Sequence, residues 1–318
     1  MGQNLLKVAD LSNSCIEEIL NRARFFADNQ DVLGMKDLPY QDRFVANLFL
    51  EPSTRTRFSF EVAEKKLGAH PINFESGSSS LQKGESLLDT LRTLEAMGVE
   101  VAVIRLREEG LLEPLTKKLN IRIINAGEGK NEHPSQALLD LYTIKSYFKE
   151  IKGLNVAIIG DIAHSRVARS NYHLLKKMGA NIFFSGPNDL MPKDLAGTHL
   201  PINDAIANAD VVMMLRVQYE RLEQKLSLSQ EEYNLEYGFT KGRLKLLQPH
   251  AIILHPAPVN RGVEMDDFVV EHSQTKVFEQ IKNGVWIRMA IIERALGGNK
   301  KWGLSSNKEK YGMKIVGL

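Results

Sequence analysis

Arginine, histidine and hydroxyl side chains collect in short polar runs that directly follow apolar, β-rich stretches. After residues 44–50 comes Glu51-Pro52-Ser53-Thr54-Arg55-Thr56-Arg57, which leads into a helical segment at 58–67. A helix N-terminus offers unpaired backbone N–H groups and the positive end of the dipole. Three hydroxyls and a guanidinium fork add donors suited to phosphate. Ser53 also fits a plain N-cap, and Arg57 suits a solvated position better than Arg55. Arg105 ends the next apolar stretch, and His133-Pro134-Ser135-Gln136 opens a long helical one. The dipole disfavours imidazolium at a helix N-terminus, so His133 reads as a neutral ring able to donate one N–H to a carbonyl oxygen, with Gln136 one turn on. A capping, structural histidine is the other reading of that residue. Arg166 follows Gly160-Asp161, Arg216 and Gln218 follow residues 211–215, and His255-Pro256-Ala257-Pro258 follows 251–254. A single arginine of this kind is usually a surface residue. The same placement at several strand ends, where open α/β sheets bind their ligands, points to a shared anion site.

Other chemistries lack their motifs. Gly160-Asp161-Ile162-Ala163-His164 follows a strand without a G-x-G-x-x-G, and there is no G-x-x-x-x-G-K-[ST]. No H-E-x-x-H, paired-cysteine spacing or G-x-S-x-G elbow occurs, so no metal, cofactor or acyl-serine step is expected. Cations, amides and hydroxyls remain, a set that binds anions and stabilises developing negative charge.

Short apolar runs alternating with helical periodicity must position these residues, which is the pattern of parallel sheets with crossover helices. Strands are expected at 44–50, 101–105, 122–125, 155–160, 181–185, 210–215 and 251–254. Leu87, Leu88, Leu91, Leu94 and Met97 form one buried helix stripe, and Ala137, Leu138, Leu141, Ile144 and Phe148 another. A helix over 134–149 with proline in its first turn, followed by Lys152-Gly153, marks the domain boundary. The fold class is α/β, with two similar lobes, each a parallel sheet flanked by helices, facing a cleft. Residues 1–150 form one domain and 151–284 the other. A final helix at 285–296 ends at Gly297-Gly298 and packs back on the first domain, ahead of a tail at 299–318. The serine-rich stretch 76–83 reads as a loop.

Composition bounds the partners. In 318 residues, 41 basic and 39 acidic side chains leave a net charge of +2, without the basic excess of a nucleic-acid or membrane-surface binder. A single cysteine, Cys15, points to a reducing cytoplasm. Residues 1–14 show no signal-peptide pattern, and no uncharged apolar run approaches spanning length.

Together, Ser53-Thr54-Arg55-Thr56-Arg57, His133-Pro134-Ser135-Gln136 and His255-Pro256-Ala257-Pro258 resemble the carbamoyltransferase family. Met214-Leu215-Arg216-Val217-Gln218 with Glu220-Arg221, and the run from His255 to Arg261, resemble its aspartate branch. The D-x-x-S-M-G and His-Cys-Leu-Pro segments of the ornithine branch are not present. The resemblance spans residues 5–296. It implies transfer of a carbamoyl group from carbamoyl phosphate to L-aspartate, giving N-carbamoyl-L-aspartate and phosphate in pyrimidine biosynthesis. By that resemblance Ser53, Thr54, Arg55 and Thr56 hold phosphate, and Arg105, His133 and Gln136 surround the carbamoyl group. Arg166, Arg216 and Gln218 hold the aspartate carboxylates, and carbonyls near Ala257 and Pro258 orient the carbamoyl amide and the amine. Lys83 and a serine of its loop, with Ser80 favoured, reach a neighbouring subunit's site, which implies a homotrimer and leaves room for a regulatory chain or another pathway enzyme. The alternatives are a carbamoyltransferase for ornithine or an acylated ornithine, and a non-catalytic two-lobed anion-binding protein.

Overall fold

The strands are built from valine, isoleucine, leucine and alanine with few polar breaks, as parallel strands covered on both faces require. The computed structural model describes residues 3–30, 38–74, 84–217 and 228–298. β1 (Phe44–Phe49), β2 (His70–Phe74), β3 (Val101–Leu106) and β4 (Arg122–Glu128) form a parallel sheet in the order β2-β1-β3-β4. β5 (Asn155–Ile159), β6 (Asn181–Ser185), β7 (Thr198–His199), β8 (Val211–Met214) and β9 (Ile252–Leu254) form a second in the order β7-β6-β5-β8-β9. The expected architecture of two parallel sheets flanked by helices is therefore what the chain adopts.

β2 and β7 are additions to the expected strands. β2 reads His-Pro-Ile-Asn-Phe and pairs on one side only, where a proline and half-exposed polar residues are tolerated. β7 has only two residues and carries no period to detect.

The helices are α1 (Asn13–Asp28), α2 (Thr54–Leu67), α3 (Leu87–Ala96), α4 (Leu112–Thr116), α5 (Pro134–Tyr147), α6 (Arg166–Lys177), α7 (Ile202–Asn208), α8 (Gln230–Tyr237), α9 (Asp267–Val270) and α10 (Val277–Ala295). α2 starts at Thr54 rather than 58, so Arg55 and Thr56 lie in its first turn. α10 starts at Val277 rather than 285. Gln280 and Asn283 interrupt its apolar period, yet both are buried in hydrogen bonds, to Asp140 and to Thr143. Met97, expected in a core stripe, is exposed, because α3 ends there and the chain turns away through Gly98 at φ +90°. The stripe residue Leu91 is fully buried, as are Ala137, Leu138, Leu141 and Ile144.

α10 packs on α1, α2 and α5, burying Trp286, Ile287, Met289, Ile291 and Ile292. Glu293 receives the Arg22 guanidinium and the Tyr40 hydroxyl at its inner edge. One continuous cluster of buried apolar side chains runs from α1 through α5 and α10 to α6 and β5. No helix among the described residues is long and apolar enough to cross a membrane. The stretches 75–83 and 299–318 lie outside the described residues.

Beneath α2, Asn47 donates from Nδ2 to the buried Glu64 Oε2 at 2.8 Å. Burial pushes the Glu64 carboxyl up to about 8, against the opposing pull of Asn47. The folded chain thus keeps a proton that the unfolded chain releases near 4.5, so this group's stabilisation is full below pH 4.5 and is lost as pH rises through about 8. Glu64→Gln, which needs no proton, is expected to flatten the fall in urea midpoint across that window. Equal slopes for both proteins would contradict the assignment.

Candidate active site

Strand order decides where ligands bind. In the first sheet the order reverses between β1 and β3, and in the second between β5 and β8, the switch points at which open α/β sheets form crevices. Arg55 follows β1 and Arg105 sits in β3; Arg166 follows β5 and Arg216 follows β8. Each switch point therefore supplies two guanidinium groups. All four line one cleft of about 350 Å³ between the lobes, together with Ser53, Thr56, His133, Gln136, Ala257 and Pro258.

The β1–β3 register sets Phe49 beside Arg105, and the Leu50 N–H donates to the Arg105 carbonyl at 2.8 Å. Glu51 then lies just past the strand, with Oε2 3.6 Å from Arg105 Nε and 2.7 Å from Arg166 Nη2. One carboxylate of the first lobe thereby holds an arginine of each lobe. Arg166 is buried at the start of α6 and also donates to the Gly129 carbonyl at 3.2 Å. Its guanidinium lies against Gly127, where a Cβ would approach to 3.0 Å at a backbone φ of +127°.

Ser53 is the N-cap residue of α2 but makes no capping hydrogen bond with its side chain. Thr56 is buried, whereas Thr54 is exposed and does not line the cleft. Partial burial, and then the charge of Arg216, lower the Arg55 pKa, so cations of opposite lobes face each other across the cleft. Such a pair is a place for anions.

His133 is the N-cap of α5 and is buried. Burial above all, then the charges of Arg105, Arg166 and Arg288, hold its imidazole pKa well below 6.5. The neutral ring expected from the helix dipole is thus enforced mainly by desolvation. Its backbone N–H donates to Ser170 Oγ at 2.8 Å, and that hydroxyl donates to the buried Glu132, which burial pushes up to about 7. Gln136, in the first turn of α5, donates from Nε2 to Asp140 at 2.9 Å.

The loop after β9 is shaped by His255. Its Nδ1 accepts the Ala257 N–H at 2.8 Å, which places the ring proton on Nε2, 3.3 Å from Glu264 Oε1. Ala257 has φ +53°, the left-handed region that costs a non-glycine residue roughly 1–2 kcal/mol.

Two groups escaped sequence reasoning. Arg288 reaches the cleft from α10, donating to Ser59 Oγ at 2.8 Å with its guanidinium 5.1 Å from the Phe60 ring centre. Burial lowers its pKa to about 10, with Asp140 pulling the other way, so it stays charged at neutral pH. An arginine inside the apolar run 285–292 was the available signal. Glu51 was visible only as the first residue of a polar run. Gln218, Ser80 and Lys83 lie outside the described residues.

Residues 3–146 match the carbamoyl phosphate-binding domain model of aspartate/ornithine carbamoyltransferases, and residues 152–294 match the model of their aspartate/ornithine-binding domain. The chain belongs to the aspartate/ornithine carbamoyltransferase family. It is 48% identical over 296 residues to the aspartate carbamoyltransferase catalytic subunit of Listeria monocytogenes, covering 92% of this chain and 96% of that one. Its fold is similar to aspartate transcarbamoylase of Trypanosoma cruzi in complex with carbamoyl phosphate and aspartate, with a TM-score of 0.84 and 29% identity over 92% of this chain and 96% of that one. The same enzyme bound to N-(phosphonacetyl)-L-aspartic acid also aligns at a TM-score of 0.84 and 29% identity, covering 92% of this chain and 95% of that one. These relatives favour the aspartate branch over an ornithine acceptor or a non-catalytic anion binder.

A carbamoyltransferase site of this construction keeps His133 uncharged at working pH. Imidazole ¹⁵N resonances of His133 are expected not to titrate between pH 8 and the ordinary histidine value of 6.5. A midpoint at or above 6.5 would overturn the electrostatic account.

Proposed function

We propose that this chain joins carbamoyl phosphate to the amine of L-aspartate, releasing N-carbamoyl-L-aspartate and phosphate in pyrimidine biosynthesis. The observation that carries this reading is the convergence of Arg55, Arg105, Arg166 and Arg216, two from each lobe, on one cleft beside the neutral His133. The cations suit two multiply charged anions, and a neutral imidazole suits a carbonyl oxygen.

Residues 1–150 take carbamoyl phosphate. Ser53, Arg55 and Thr56 hold its phosphate with their side chains at the start of α2, where Thr54 contributes through the backbone N–H groups and dipole of the first turn rather than through its exposed hydroxyl. Arg105, His133 and Gln136 surround the carbamoyl group, with the main-chain carbonyls of Ala257 and Pro258 orienting the amide and the incoming amine. Residues 151–284 take aspartate, whose carboxylates meet Arg166, Arg216 and Gln218, and the final helix anchors both parts. The paired Glu51 holds Arg166 ready while leaving it inside the cleft.

The uncharged amine attacks the carbamoyl carbon. A C–N bond forms, the C–O bond to phosphate breaks, and the proton shed by the amine leaves with the phosphate. Thr56, Arg105 and His133 donate to the oxyanion of the tetrahedral intermediate, and Arg55 takes the charge growing on the phosphate. Alignment of the two substrates supplies much of the rest of the acceleration, and closing of the segment 230–243 over the cleft excludes water.

Lys83 and Ser80 act in a neighbouring subunit's site, within a homotrimer in the cytoplasm. Exposed Phe58 and Val62, one turn apart on α2, support burial of that face by another chain.

Purified protein given carbamoyl phosphate is expected to release phosphate and form the carbamoylated product with L-aspartate and not with L-ornithine. Turnover with ornithine alone, or binding without turnover, would refute the reading. Arg55→Ala is expected to lower kcat by about two to three orders of magnitude at an unchanged unfolding midpoint, the usual cost of losing one transition-state donor. Near-normal turnover would remove Arg55 from the chemistry.

A further inference from the structure

Asp140 lies one helical turn beyond Gln136 on α5, is buried, and accepts hydrogen bonds from three side-chain amides. Its Oδ1 takes Gln136 Nε2 at 2.9 Å and Gln280 Nε2 at 2.7 Å, and its Oδ2 takes Asn171 Nδ2 at 2.7 Å. Gln280 in turn accepts the His255 N–H at 2.9 Å on its Oε1. The three donors come from α5, α6 and α10, so the carboxylate joins both lobes to the loop carrying Ala257 and Pro258. Burial pushes the Asp140 carboxyl up to about 6, against the opposing pull of the Asn171, Gln280 and Gln136 amides and then of the Arg288 charge. At neutral pH Asp140 is therefore ionised and can only accept.

That polarity fixes which way round the Gln136 amide sits. A carboxylate admits only the amino end, so the remaining polar atom of Gln136 is Oε1, an acceptor. The geometry points to Asp140 as a positioning residue that commits Gln136 to accept, and so makes the site select a carbamoyl group, with its N–H donors, over an acyl group of the same size. The inference rests on the assignment of Gln136 to the carbamoyl group.

Calorimetry with carbamoyl phosphate, acetyl phosphate and inorganic phosphate tests it, because acetyl phosphate replaces the amino group by a methyl. The unmodified protein is expected to prefer carbamoyl over acetyl phosphate by about tenfold, the worth of one good hydrogen bond. In Asp140→Ala the preference should collapse to within about twofold while the affinity for inorganic phosphate stays within about twofold, which a general loosening of the fold would not produce. Asp140→Asn, which keeps an acceptor for Gln136, should recover most of the preference. Absence of any preference in the unmodified protein, or its persistence in Gln136→Ala, would overturn the Gln136 assignment itself. Loss in Gln136→Ala but persistence in Asp140→Ala would overturn the role of Asp140 alone, as would parallel loss of inorganic phosphate binding in Asp140→Ala.

Because Asp140→Ala also strips a partner from Gln280 and Asn171, an isosteric pair gives a second test. Gln136→Glu sets two carboxylates in contact and should weaken carbamoyl phosphate binding by about tenfold or more. Adding Asp140→Asn supplies a donor and should restore most of it. No recovery in the double variant would overturn the proposal.

Discussion

Holding several guanidinium groups together without filling the space between them is the constraint on which this structure depends. Arg55, Arg105, Arg166, Arg216 and Arg288 all line one cleft, and like charges at such spacing repel. Glu51 answers this by reaching from the first lobe to Arg105 and, more closely, to the buried Arg166 of the second. Asp140 supplies a second negative charge beneath Arg288. Removing one partner from a buried ion pair typically costs about 3–5 kcal/mol, because the remaining charge is left uncompensated. The acidic residues are thus part of the anion site as much as the basic ones.

The backbone architecture serves the same end. Parallel strands send all their carboxyl ends in one direction, and each sheet changes order beside the strand that begins it in the chain, β1 or β5. Two such sheets facing each other bring two switch points to one crevice. α10 stabilises the arrangement by returning from the second sheet to the helices of the first, where its apolar face is buried and Arg22 and Tyr40 secure Glu293. Of its buried polar residues, Gln280 and Arg288 reach the cleft, Gln280 also meeting Asp140, while Asn283 ties the helix to Thr143 of α5. Arg288 reaches Ser59 across the bare backbone of Gly284, where a Cβ would collide with the guanidinium.

Long apolar runs and helix signals made most of the sheet strands and α5 legible in the sequence, because each depends on local side-chain periodicity and capping. The edge strands β2 and β7 were not, since they contribute little apolar surface and take their conformation from pairing with β1 and β6. The first turns of α10 were hidden for a related reason. Gln280 and Asn283 look like surface residues until their partners on α5 are known.

What the sequence determined by itself is the chemical inventory and its family: arginines and hydroxyls at strand ends, a histidine at a helix start, and motifs shared with carbamoyltransferases. Residue type and local spacing suffice for that. Only the tertiary structure decided which groups meet. Glu51 and Arg166 are far apart in the chain, as are Asn171 and Gln280 from Asp140, and no local pattern encodes those contacts. The uncharged state of His133 likewise has two sources. The helix start was readable in the sequence, but the larger cause, exclusion from water among three arginines, exists only once the lobes are packed.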